Sequence, residues 1–394
     1  MRLSISKEET LIRQQRFFEK IQQNELDCAI LFSPIDIFYL TGFQFHPTER
    51  PIAFYIDPEQ KTHLFVPYLE HEHAEDFASL INFVHSYPEY PGLKHPMEYF
   101  KEELVRAGFQ GKKVGVDSLG YGSPSGYRGP TVDQLLDAQE FQSIKYIVPE
   151  LRAVKSAAEI ELINESCRWG NLAHRLLQKY SKPGLSELEI TSRASTEATM
   201  AMIETLGADY KPHGETAFAL FRGQIGEMSA YPHAVTQNAV LKTGDTLVTA
   251  SGGSVWGYKS ELERTMFVQE VSKEQTTYFQ YMYEAQEVAF QHIKPGKPTS
   301  YVEEAVQKYF TENKITHLTR HHTGHAIGLL FHESPFFDLG DHTIMEPGMV
   351  FTVEPGIYVQ GVGGFRHSDT ILVTEDGMEM LTYYPRDLES MICY

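Results

Sequence analysis

The sequence predicts a mixed α/β (α+β) protein of two domains, residues 1–150 and 151–394, and three observations predict it. Helical and strand patterns alternate through the first 150 residues. The pattern changes at "VPELRAVKSAAEIELINESCRWGN", where a long amphipathic helix opens near Ser156. Beyond that point helical stretches are followed by strands, twice over. A chain of 394 residues is long enough for one large core or two ordinary domains.

The elements follow from local pattern. "EETLIRQQRFFEKIQQNEL" spaces its apolar residues as a helix does, and "CAILF" reads as a short buried strand. "IDIFYLTGF", "RPIAFYI" and "THLFVPYL" read as further strands, with a turn at "DPEQK". "HPMEYFKEELVRAG" is helical and "KVGVD" a strand. The helix near Ser156 carries Glu159 and Glu161 in its early turns, where acidic groups favour a helix N-terminus. Helical pattern persists to about residue 208, broken at "SKPGLSE". Strands are expected at "DTLVTAS", "ERTMFVQEV", "GMVFTVEPGIYV" and "DTILVTEDG", with a helical region over 272–314 interrupted at "KPGKPTS". The two halves of this region form a faint internal repeat.

Composition narrows the function. No run of 18 apolar residues exists, and the first 20 residues are charged throughout, unlike a secretory signal. Cys28, Cys167 and Cys393 are scattered, with no CxxC, as expected of a reduced, cytoplasmic protein. A formal charge of −19 argues against nucleic acid and anionic membranes as partners. Small molecules and protein subunits remain.

Candidate chemistry concentrates late in the chain. Of 17 histidines, His63, His71, His73, His95 and His342 sit in polar or loop contexts and are expected to be solvated. In "RHHTGHAIGLLFHESP", His325 and His332 flank Gly324 and Gly328, which would let backbone approach a ligand closely. Glu354 stands at a strand end, before Pro355. In "GYKSELERTMFV", Glu261 and Glu263 share a strand face with Lys259 and Thr265, a costly arrangement unless cations or donors meet them; a solvated edge strand is the alternative. His233 lies in a loop, in "SAYPHAVT". In "GGFRHSDTILVTEDG", Arg366, Ser368 and Thr370 face one side of a strand, and His367 and Asp369 the other.

These segments, with "HAVTQNAVLKTGD" and "EPGMVFTVEPGIYV", resemble the pita-bread family of methionine and Xaa-Pro aminopeptidases, prolidase and creatinase. The resemblance covers residues 151–385 in family order. "SPIDIFYLTGF" and "RPIAFYI" resemble the creatinase/prolidase N-terminal domain. The family's peptidases hold two metal ions with five ligands. Carried over by position, these fall on Ala250, Glu261, His325, Glu354 and Ser368. Alanine offers no donor and a serine hydroxyl is a poor bridge, so a dinuclear site is not expected. The resemblance therefore implies no cofactor, or a single Mn, Zn or Co ion on Glu261, His325 and Glu354.

Creatinase, which has lost the metal ligands, also carries "LERT", so Glu263 resembles it, and His233 aligns with its catalytic histidine. The leading expectation is a metal-independent hydrolase of a C–N bond, similar to creatinase or ectoine hydrolase. Its substrate would be a small zwitterionic or cationic amidine, guanidino or cyclic amino acid. His233 would activate water, Glu263 and Glu354 would bind a cationic group, and His325 and His332 would stabilise developing charge. Arg50, reaching the partner's site in a homodimer, would pair with a substrate carboxylate, and Glu261, Arg366 and Ser368 would line the substrate site. Two alternatives stand beside it: an Xaa-Pro dipeptidase or aminopeptidase using one divalent ion, and an inactive binding member of the fold.

Overall fold

The computed structural model describes residues 3–122 and 128–394. The chain divides into two compact units, Ile5–Arg152 and Ala153–Tyr394, the latter joined by residues 3–4. No helix among the described residues is long and apolar enough to cross a membrane.

The first unit is built on a six-stranded mixed sheet. Its order is Phe83–Tyr87, Thr62–Pro67, Ala53–Ile56, Cys28–Leu31, Lys113–Val116, Glu140–Ser143. Cys28–Leu31 runs parallel to Lys113–Val116 and antiparallel to Ala53–Ile56. Every residue of these two inner strands Cys28–Leu31 and Ala53–Ile56 is buried, which is why they read as continuous apolar runs rather than alternating ones. The helix Pro96–Arg106 closes one face, with the Phe100 ring 4.8 Å from Phe65 and 5.5 Å from Tyr55.

Two expectations fail in this unit. "IDIFYLTGF" forms a helix, Pro34–Thr41, not a strand. Pro34 is pre-set for the first turn, and Gly42 ends the helix in the left-handed conformation at φ 72°. A short apolar run that is buried all round has no period to distinguish the two states. His63, expected in solvent, is buried between the Tyr55 and Phe83 rings, 4.5 and 5.0 Å away, and pairs with Asp57 and His85. It sits on an interior strand, where only its polar sequence neighbours suggested exposure.

The second unit begins with the helix Ala157–Tyr180. Ser156 accepts from the Glu159 amide while the Glu159 carboxylate accepts from the Ser156 amide, so the expected start is a capping box. The helix Glu187–Leu206 follows, and the later pair is Lys273–His292 and Ser300–Glu312. These surround an eight-stranded sheet. Its order is Glu333–Phe337, Gly324–Ala326, Val350–Val353, Ser368–Thr374, Leu262–Glu263, Ala250–Gly252, Phe218–Leu220, with Gly377–Met380 added to Ser368–Thr374. Leu262–Glu263 is thus an inner strand, which overturns the solvated-edge alternative. Gly324 serves this sheet and not a ligand: a Cβ there would lie 2.1 Å from the Thr352 carbonyl oxygen of the neighbouring strand.

One buried ion pair locks the middle of the sheet. Arg264 and Asp369, both fully buried, meet through two hydrogen bonds of 2.8 and 3.2 Å. The guanidinium also donates to the carbonyls of Glu263, Ser368, Tyr384 and Pro385, so every donor is used. Asp369 accepts further bonds from Gln286 and Thr382. Removing one partner strands a charge with no water to receive it. Asp369→Ala is expected to lower the unfolding free energy by about 3–5 kcal/mol, read from chemical denaturation of the full chain. A loss below about 1 kcal/mol, the range of an exposed pair, would refute the role given to it.

Candidate active site

Strand register brings the candidate residues together. Glu263 pairs with Ser368, Leu262 with Ser251 and Leu220 with Ala250. Antiparallel counting places Ala250 opposite Glu263, and extends the row past Ser368 to Glu354, one residue beyond the Val353–Asp369 pair. Cross-strand neighbours share a face, and so do residues two apart. One face therefore carries Ala250, Glu263, Ser368 and Glu354, with Glu261 and Arg366 two residues away. His325 joins from the strand beyond, since Ala326 pairs with Phe351. The opposite face takes His367 and Asp369, as the alternation predicts. His367 is spent there between the Thr265 amide and the Arg386 carbonyl.

Glu261, His325 and Glu354 form a compact cluster, with one ligand atom from each within 4.8 Å of the others. His325 Nδ1 lies 3.1 Å from the Ala326 carbonyl, which fixes the N–H on that nitrogen and aims Nε2 into the cluster. Nε2 lies 3.2 Å from Glu354 Oε1, yet the pair is poorly aligned, and this buried nitrogen has no hydrogen-bond partner among the described residues. Ser368 donates to Glu261 Oε1 at 2.8 Å. Burial pushes Glu261 up to about 7, helped by the charges of Glu354 and Glu263. Burial opposes charge on His325, but the Glu354 and Glu261 carboxylates outweigh it and raise the ring to about 9. Glu354 moves the other way: despite burial, His325, Arg366 and His321 hold it well below the carboxylate range. Two carboxylates this close are accommodated by a proton on one of them or by a cation between them.

The donor set fits one divalent ion. It offers two carboxylates and an imidazole whose second nitrogen is held by a carbonyl, the arrangement that orients metal-bound histidines. A second ion does not fit, because Ala250 offers no donor and the Ser368 hydroxyl is neutral and already turned to Glu261.

Glu263 departs from its expected role. It is 1% exposed, and both its oxygens are taken by arginines. Arg366 binds it in bidentate fashion through Nε and Nη2, and Arg222 Nη2 binds Oε1 at 2.7 Å. A carboxylate so neutralised cannot hold a cationic substrate, so that expectation is corrected. Arg366 is equally committed. Its Nη1 donates to the Tyr358 hydroxyl at 2.9 Å, and its Nε lies 3.7 Å from Glu354 Oε2. The chain of bonds continues from Tyr358 to His321 Nε2 at 2.8 Å, while His321 Nδ1 meets the His322 carbonyl.

The remaining predicted residues are more open. His332 is exposed, with its ring centroid 4.0 Å from that of His325. Burial, then the charge of His325, lowers its pKa. His233 is exposed on the loop after Tyr231, near enough for its charge to act on His332. Arg50 belongs to the first unit, where it pairs with Glu89 and Glu49, so a substrate carboxylate would compete with both. Sequence reasoning missed Arg222, Tyr358 and His321. His321 sat within the histidine cluster and had that signal; Arg222, in "LFRGQ", had none.

Comparisons with known proteins place this geometry in context. The family model described as "Metallopeptidase family M24" matches residues 161–375, and that for the creatinase/prolidase N-terminal domain matches 13–154. An Xaa-Pro dipeptidase of Pyrococcus furiosus is 28% identical over 382 residues, spanning 95% of this chain and 99% of its own. Among solved structures, an Xaa-Pro dipeptidase from Bacillus anthracis is 27% identical, with a TM-score of 0.79 over 97% of this chain and 99% of its own. The prolidase from Pyrococcus horikoshii gives 25% and 0.79, over 95% and 99%.

The Glu263–Arg366 pair is testable by itself. Glu263→Gln is expected to cost about 3–5 kcal/mol of stability, because two guanidiniums lose their counter-charge. A double-mutant cycle with Arg366→Gln is expected to show coupling of at least about 1.5 kcal/mol, within the range for residues sharing one network. Additive losses in the cycle would sink the reading.

Proposed function

Because the chain belongs to metallopeptidase family M24, we propose that it is a single-ion peptidase acting on small Xaa-Pro substrates, with Glu261, His325 and Glu354 as the metal ligands. The observation that carries this reading is the orientation of His325: Nδ1 is held by a carbonyl, and Nε2, which has no hydrogen-bond partner among the described residues, lies 3.2 Å from Glu354 Oε1 in the cluster with Glu261. The full-length similarity to Xaa-Pro dipeptidases supports the substrate class. The metal-independent hydrolase expected from the creatinase resemblance loses support at Glu263, whose charge is already matched by arginines.

A divalent ion at these ligands would polarise the scissile carbonyl and make a bound water acidic. The chain's own residues then have distinct tasks. Ser368 donates to Glu261 and keeps its carboxylate turned into the cluster. Arg366 steadies Glu354 from 3.7 Å and, through Tyr358 and His321, ties the site to the loop before His325. His332, held toward its neutral form beside His325, is the group placed to carry a proton to the departing prolyl nitrogen. His233, exposed and near enough for its charge to act on His332, would relay that proton to solvent.

Elemental analysis of protein purified without chelator, followed by calorimetric titration with Mn²⁺, tests the site. One ion per chain is expected, and His325→Ala is expected to weaken Mn²⁺ at least tenfold while the fold persists. Mn²⁺-stimulated release of proline from Ala-Pro is the matching activity. No bound ion and no heat with Mn²⁺ would overturn the reading.

A further inference from the structure

We propose that Arg222 is the residue that binds a carboxylate group of the substrate, reaching the site across the position of Ala250. The inference deepens the peptidase reading and rests on it for the choice of probe. Arg222 follows the outermost strand, Phe218–Leu220, in which Leu220 pairs with Ala250. It stands in the turn two residues past Leu220, and its bond to Glu263 puts its guanidinium on the face that carries Glu263. The alanine methyl leaves room for a long side chain to pass over the strand Ala250–Gly252 and meet Glu263 at 2.7 Å.

The backbone is built to hold it there. Arg222 has φ 54°, a conformation that residues with a side chain seldom adopt. Gly223 fixes it from behind: a Cβ on Gly223 would lie 2.0 Å from the Val235 carbonyl oxygen, and its amide donates to the buried Glu187 at 2.7 Å. Backbone held in a sparsely populated region is strained and is retained where surroundings over-determine it.

The guanidinium is only partly used. Its Nη2 serves Glu263 and, at 3.4 Å, Gln224. Its Nε is buried yet has no partner among the described residues. The side chain is 36% exposed, so a solute can reach it, whereas Arg366 is 3% exposed and its donors are taken. A planar fork with free donors suits a carboxylate. The charges agree. Glu261, Glu263 and Glu354 against Arg222, Arg366 and one divalent ion leave a single positive charge for an anionic substrate group.

The probes are L-proline and L-prolinamide, which differ in that carboxylate, titrated into the wild type, Arg222→Gln and Arg222→Lys by calorimetry with and without Mn²⁺. The wild type is expected to bind proline at least tenfold more tightly than prolinamide. Arg222→Gln should erase the difference, leaving prolinamide affinity and Mn²⁺ affinity within twofold, and Arg222→Lys should recover part of it. Equal affinity for the two probes in the wild type, including binding of neither, overturns the proposal. So does unchanged proline binding by Arg222→Gln, or an equal loss of both probes, which marks a merely structural role. Failure of Mn²⁺ to bind while proline discrimination survives would overturn the metal assignment and leave Arg222 standing.

Discussion

The Arg264–Asp369 pair is the constraint on which the site depends. It lies on the face of the sheet opposite the candidate ligands, and its guanidinium holds the carbonyls of Glu263 and Ser368. Those two residues are cross-strand partners, and their side chains emerge on the other face. A buried charge with every hydrogen bond satisfied tolerates little displacement, because any shift leaves a donor without an acceptor. The rigidity of one face is thereby transmitted through the strands to the other. Glu263 and Ser368 cannot drift in register, and Glu261 and Arg366, two residues away, inherit their positions.

On the site face the problem is electrostatic. Three carboxylates within one buried patch repel each other, and the structure answers with different partners for each. Glu263 is given to two arginines. Glu354 shares His325 and the edge of Arg366, which keeps it ionised despite burial. Glu261 has only the Ser368 hydroxyl and the more distant His325, so burial raises it to about 7. The least compensated carboxylate is therefore Glu261, which shares the cluster with the closer Glu354–His325 pair. That gradient separates carboxylates that build the wall from those that face an incoming cation.

Much of this was legible in the sequence. Alternation in "GGFRHSDT" correctly placed Ser368 and His367 on opposite faces, and the helix start near Ser156 was readable from the acidic residues of its early turns. The family-specific spacing pointed to Glu261, His325 and Glu354, which the fold gathers into one cluster. What the sequence concealed were contacts made across the sheet. Nothing local to "LFRGQ" shows that Arg222 crosses one strand to reach Glu263, and nothing in "ELERT" shows that Glu263 arrives already neutralised. The helix at Pro34–Thr41 was misread because burial on all sides erases the periodicity that sequence reading uses, and His63 because its polar neighbours hide an interior strand. The expectation of a cation-binding Glu263 failed because a residue's charge was read without its partner.

The substitutions at the row Ala250–Glu263–Ser368 make sense when taken together. By resemblance, aspartate and glutamate at the outer two positions serve a second divalent ion. Removing two carboxylates with one such ion leaves the local charge unchanged. Adding Glu263 in the middle would upset that balance by one negative charge, and Arg222, entering over Ala250, restores it. Each exchange is electroneutral, whereas any one alone would leave an unpaired charge in a buried sheet, at a cost of several kcal/mol. Ala250 contributes twice, by withdrawing a ligand and by opening the path for the arginine. The altered row therefore matches each added charge with an opposite one, and the partly exposed guanidinium of Arg222 keeps N–H donors that Glu263 does not use.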